Sequence, residues 1–165
     1  MNYYLIGMMG SGKSTVGKLL AKKLKTPFLD LDHYIELKNK MSIQDIFKEK
    51  GENYFRTLET NALSEIKSSN VVIACGGGLI LNHNNRKNIS SNGLVIFLNT
   101  SISSLKKRLH SNLNRPLLRH KNIEEELIKI WDQRKKYYYA TAAITINTDG
   151  YAPEILSNQI IEKLN

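Results

Sequence analysis

Short apolar runs alternate with longer stretches of mixed polarity along the whole chain. The runs predict strands at 2–6, 28–31, 71–75, 94–98 and 144–147, and the stretches between them predict helices. Strands buried between helices belong to a mainly parallel sheet, so the pattern predicts an α/β fold of three layers around a five-stranded, mainly parallel sheet. The first helix is expected over 13–25, ending where Pro27 disfavours helical geometry at Thr26. Ser42 with Asp45 reads as a helix start and Gly51 as a stop. Asn122 followed by Glu124, Glu125 and Glu126, with Arg134, Lys135 and Lys136 towards the other end, reads as a helix charged to suit its dipole. With 165 residues and no repeat, linker or low-complexity tract, a single domain over 1–165 is expected.

Three polar motifs fall where these strands end, which is where an open α/β sheet places its ligand. After the first strand, Gly7-Met8-Met9-Gly10-Ser11-Gly12-Lys13-Ser14 fulfils the phosphate-loop pattern. Its glycines let the backbone fold around a polyphosphate at a helix N-terminus. Lys13 is expected to reach the β- and γ-phosphates and Ser14 to offer its hydroxyl to Mg2+. After the second strand comes Asp30-Leu31-Asp32. Two positions apart in an extended segment, the carboxylates would share one face near the metal and the phosphate acceptor, and Asp32 also suits a helix N-cap. After the third comes Gly76-Gly77-Gly78, which serves either close backbone approach to a ligand or a tight turn with positive φ. Arg56 and Glu59, three apart, share a helical face. The pair is either a surface salt bridge or an arginine fixed to grip a carboxylate.

A net charge of +9 raises the question of nucleic acid, but the lysines are scattered rather than gathered with aromatics into a stripe. No stable nucleic-acid partner is expected, and the surplus suits polyanionic ATP. The one cysteine, Cys75, cannot form an intramolecular disulfide, no secretory apolar core is apparent at the start, and no apolar run approaches the roughly 20 residues that span a bilayer. A cytoplasmic protein without membrane attachment is expected, with Cys75 as a small buried apolar residue.

In order and spacing, these motifs resemble the shikimate kinases almost end to end. The resemblance also takes in Ser42-Ile43-Gln44-Asp45-Ile46-Phe47, the Gly-Glu-x-x-Phe-Arg-x-x-Glu stretch from Gly51 to Glu59, Arg115-Pro116-Leu117-Leu118, and Arg134 followed by Tyr138. It implies a P-loop kinase with a mobile lid near 111–121 and a substrate-binding region near 32–60. The implied reaction passes the ATP γ-phosphoryl group to the 3-hydroxyl of shikimate, in aromatic amino-acid biosynthesis, by a monomer using Mg2+. Carried over, Gly10, Ser11, Gly12, Lys13, Ser14 and Thr15 bind ATP, with Arg108 and Pro153 flanking adenine. Asp32, Arg56, Gly77, Gly78 and Arg134 bind shikimate, with Glu59 holding Arg56 and with Phe47 and Phe55 as apolar walls. Lys13, Asp32 and Arg115 are the catalytic set, Arg115 being delivered by the lid, and Ser14 and Asp30, the latter through water, attend the metal. A gluconate or nucleoside-monophosphate kinase would share the phosphate loop, but a nucleotide acceptor calls for further arginines and a base pocket.

Overall fold

The computed structural model describes residues 1–110 and 122–164. Five strands, β1 (Asn2–Ile6), β2 (Phe28–Asp30), β3 (Val72–Ala74), β4 (Gly93–Asn99) and β5 (Ile144–Asn147), form one sheet in the order β2-β3-β1-β4-β5. Every neighbouring pair is parallel. The helices are α1 (Lys13–Leu24), α2 (Leu31–Asn39), α3 (Ile43–Glu65), α4 (His83–Asn92), α5 (Ile102–His110), α6 (Ile123–Thr141) and α7 (Pro153–Leu164), with a 3₁₀ turn at Leu79–Leu81.

The central strands are apolar on both faces because each face has its own core. Side chains alternate along a strand. Tyr4, Ile6, Ile73, Val95 and Phe97 point into one core with residues of α2 to α6. Leu5, Val72, Ile96 and Leu98 point into the other, with Val16 and Leu20 of α1 and Leu156 and Ile160 of α7. Among the described residues no helix is long and apolar enough to cross a membrane.

Several expected boundaries shift for local reasons. β2 ends at Asp30 because Leu31 already turns into α2. The N-cap of α2 is therefore Asp30, whose carboxylate accepts from the His33 N–H, and not Asp32, which lies in the first turn. α1 ends at Leu24, with Lys25 left-handed (φ 53°) and the Thr26 N–H donating to the Ala21 carbonyl, so the chain leaves helical geometry just before Pro27. Ser42 caps α3 through the Asp45 N–H as expected. Gly51 (φ 82°, ψ 171°) leaves helical geometry as expected of a stop, and a second helical stretch follows at once, so the 23-residue span is two helices joined across a kink. Asn122 caps α6 beside its three glutamates, but the helix runs on to Thr141. Arg134, Lys135 and Lys136 thus sit in its middle, and its last turn holds no basic residue.

Candidate active site

β1 and α1 are joined by a loop whose path needs glycine. Gly10 (φ +79°) and Gly12 (φ +95°) occupy the left-handed region, where a Cβ strains the chain. Gly12 is the N-cap of α1 and has no side chain with which to cap it, so the first turn presents its amides and the positive end of its dipole to the hollow above. The Lys13 ammonium folds back over the loop and donates to the carbonyls of Gly7 (3.0 Å) and Met8 (2.9 Å). Ser14 Oγ donates to Asp30 Oδ2 at 2.5 Å, joining the loop to the end of β2.

A cavity of about 470 Å³ extends from this loop past Asp30, Asp32 and Gly77 to Arg108 and Pro153. Arg108 turns inward instead of lying on the surface of α5. Its guanidinium donates to the Gly10 carbonyl (3.3 Å) and to the Thr148 carbonyl (3.2 Å), bracing the phosphate loop against the segment after β5. Pro153 opens α7, where its missing N–H costs no helical hydrogen bond.

A second cavity, of about 70 Å³, lies on the α3 and α6 side and shares Met9, Asp32 and Gly77 with the first. Its wall combines Phe47 and Phe55, whose rings meet at 4.9 Å, with two arginines. Arg56 is held from two sides: Nη1 lies 2.5 Å from Glu59 Oε2 and Nη2 lies 2.8 Å from Glu52 Oε1. Burial acts to lower the Arg56 pKa, but the two carboxylates outweigh it and hold the guanidinium above its ordinary value.

Glu59 is 0% exposed, so the pair is not the surface salt bridge its spacing also allowed. Burial pushes its carboxyl up to about 7, with Arg56 opposing the shift and Asp32 adding to it. Arg134 is 4% exposed, and its Nε has no hydrogen-bond partner among the described residues. A buried guanidinium N–H without a partner is costly. Arg134 lines the second cavity beside Arg56, so two guanidinium groups border the same hollow.

The glycine triplet is explained by space. Gly76, Gly77 and Gly78 are absent from the positive-φ positions, and Gly78 sits at φ −98°. A Cβ on Gly78 would overlap the Arg56 guanidinium, and one on Gly76 would overlap Glu59 Oε1. Close approach, and not a left-handed turn, explains Gly76 and Gly78, whereas a Cβ on Gly77 would meet its neighbours at ordinary contact distance. Tyr138, fully buried and stacked on Phe97 at 5.0 Å, donates its hydroxyl to the Gly77 carbonyl at 2.6 Å. Burial raises that phenol to about 12, so it remains a donor at neutral pH. Cys75 is buried and its thiol is pushed well above the ordinary range, again by burial, which agrees with an inert apolar role.

The described residues of the expected site thus converge on two joined cavities. Arg115 lies outside the described residues, as does the expected lid near 111–121. The two aspartates do not share a face by strand alternation, because the strand ends between them. Asp30 meets Ser14, while Asp32 turns towards Gly76, against which Glu59 also packs. Glu52 was not anticipated as a second carboxylate on Arg56, although its i,i+4 spacing was a readable signal. The hydroxyl role of Tyr138 left no local sequence signal, because its partner lies 61 residues away.

A strand, phosphate loop and helix beside a pocket of fixed arginines and carboxylates define a P-loop kinase of small molecules, a phosphotransferase with an alcohol acceptor. The family model for shikimate kinase matches residues 9–165. The shikimate kinase of Persephonella marina is 44% identical over 164 residues, covering 99% of this chain and 98% of that relative. Among solved structures, shikimate kinase from Acinetobacter baumannii in complex with shikimate superposes with a TM-score of 0.96 at 39% identity, covering 99% of this chain and 92% of that one. That from Bacteroides thetaiotaomicron gives 0.91 at 34% identity, covering 99% and 98%. The chain belongs to the shikimate kinase family.

Proposed function

We propose that this chain transfers the γ-phosphoryl group of ATP to the 3-hydroxyl of shikimate, giving shikimate 3-phosphate and ADP. The observation that carries the reading is the junction of the two cavities. The phosphate-loop cavity and the arginine pocket share Asp32 and Gly77, so donor and acceptor meet at those residues.

In this reading Gly10, Ser11, Gly12, Lys13, Ser14 and Thr15 cradle the phosphates, and Lys13 exchanges its two loop carbonyls for phosphate oxygens. Arg108 and Pro153 flank the base. Arg56 and Arg134 take the shikimate carboxylate, Arg56 arriving pre-oriented by Glu52 and Glu59. Gly77 and Gly78 bring backbone close to the ring, and Asp32 orients or deprotonates the attacking hydroxyl. Arg115 is assigned to the transferring phosphoryl group on the family resemblance.

Ser14 and, through water, Asp30 would hold Mg2+. A hydroxyl and a carboxylate 2.5 Å apart fit a hard cation that keeps waters and phosphate oxygens for its other positions. When bound, the ion supplies neutralisation of charge on the β- and γ-phosphates. We also read the chain as a cytoplasmic monomer with no stable nucleic-acid partner, supported by the scattered lysines and the buried lone thiol.

A coupled ADP-release assay tests the function. ADP is expected with shikimate and not with gluconate or nucleoside monophosphates; turnover of one of those in place of shikimate would reject the assignment.

A further inference from the structure

The hydroxyl of Tyr138 stands between two groups assigned above to the phosphoryl acceptor. It donates to the Gly77 carbonyl at 2.6 Å, and Arg134 hydrogen-bonds to the same hydroxyl oxygen. Arg134 and Tyr138 are four residues apart on α6, so they reach the glycine segment from one face of the helix. A Cβ on Gly77 would lie 3.4 Å from Arg134 Nη1, which places the guanidinium in contact with that segment. The phenol ring itself is fixed. It is buried, and it stacks on Phe97 at 5.0 Å and on Trp131 at 6.3 Å.

The peptide that this hydroxyl holds is the kind that turns most easily. The Gly77–Gly78 bond is flanked by two residues without a Cβ, so rotation of its plane meets little steric resistance. It is trans, which sets its N–H opposite its C=O. Fixing the Gly77 carbonyl therefore fixes the direction of the Gly78 N–H, in the wall of the acceptor cavity. Arg134 has the complementary need. Its guanidinium carries donors only, and its Nε has no partner among the described residues, so the Tyr138 oxygen anchors a group otherwise left loose. One hydroxyl serves both neighbours, because it accepts through its lone pairs and donates its single hydrogen.

We propose that Tyr138 is a positioning residue for the acceptor, its hydroxyl holding the Arg134 guanidinium and the Gly77–Gly78 peptide in one fixed relation. The inference rests on the assignment of Arg134, Gly77 and Gly78 to shikimate. The acceptor then meets donors already in place, and the cost of ordering them falls on folding and not on binding. The donor side is independent of it, since the phosphate loop is shaped by its own glycines and by the bonds of Lys13 to Gly7 and Met8.

Steady-state kinetics and urea unfolding of the full-length chain with Tyr138→Phe test this, with Tyr4→Phe as the control. Phenylalanine keeps the ring stack and removes only the hydroxyl. Tyr4 is also buried, its hydroxyl accepts from Asn2 Nδ2 at 3.4 Å, and it lines neither cavity. Both variants are expected to unfold cooperatively at a somewhat lower urea midpoint. Tyr138→Phe should raise the KM for shikimate about tenfold, as for loss of a hydrogen bond to a charged group, and leave the KM for ATP unchanged. Tyr4→Phe should change neither KM. An unchanged KM for shikimate in folded Tyr138→Phe would overturn the proposal, since the hydroxyl would then contribute to stability alone. So would an equal rise in the KM for ATP, because the change would then not be confined to the acceptor. Failure of the underlying assignment would look different: the wild type itself would release no ADP in response to shikimate.

Discussion

Arg56 shows how single residues here are chosen for one another. Two carboxylates aim its guanidinium, and the absence of a Cβ on Gly78 leaves the room it occupies. Gly78→Ala should displace the arginine without straining the backbone, since φ −98° suits alanine equally well. The expected outcome is a KM for shikimate raised at least about tenfold, comparable to loss of a charge-assisted hydrogen bond, with little change in the urea midpoint. Arg56→Ala should weaken shikimate binding by about 2–5 kcal/mol, measured by calorimetry, because a largely desolvated carboxylate pair loses one partner. Lys13→Ala should chiefly suppress kcat, because the ammonium stabilises charge that moves during transfer. An unchanged kcat would remove Lys13 from the catalytic set.

At the scale of elements, kinks and caps decide where the site residues stand. The Ser42 hydroxyl closes the start of α3, and Ser42→Ala should cost about 1 kcal/mol in urea unfolding. Gly51 then bends the helix five residues before Arg56. A Cβ at Gly51 would meet nothing within 4 Å, but φ 82° with ψ 171° is a region that only glycine occupies at ease. Gly51→Ala should therefore lose roughly 1–3 kcal/mol of stability through strain alone. The two glycine variants form a contrast: Gly51→Ala acts mainly on the unfolding midpoint, and Gly78→Ala mainly on shikimate affinity. The break at Gly51 is legible from the residue's backbone freedom, whereas the immediate resumption of helix, packed through Phe55, Ala62 and Leu63, is not.

For the molecule as a whole, the buried acid in the arginine pocket links stability to pH. Glu59 has a carboxyl near 7 in the fold against 4.5 for an ordinary glutamate, so the native state holds a proton that the unfolded chain releases earlier. Its contribution is fully present below about pH 4.5 and is lost as pH rises through about 7. Chemical denaturation of wild type at pH 5 and pH 8 should show this fall superimposed on other titrations, and Glu59→Gln should flatten it. An identical pH slope in the variant would exclude Glu59 as its source.

Much of the plan was legible locally. Apolar runs marked five strands to within one residue at each end, most plainly at β1, β3 and β4, whose places inside the sheet bury apolar side chains on both faces. The phosphate loop announced itself through its own backbone demands at Gly10 and Gly12. Cap chemistry at Ser42 and Asn122 was readable for the same reason, since donor and acceptor lie within a few residues. Only the tertiary structure decided which of two nearby aspartates caps α2 and that Gly76 and Gly78 serve clearance. It also decided that Glu59 is sealed from water and that Tyr138 grips the Gly77 carbonyl. The division has one physical cause. Hydrogen bonds and backbone angles within a turn are properties of adjacent residues, whereas burial, clearance and charge environment arise only when elements dozens of residues apart are packed against each other.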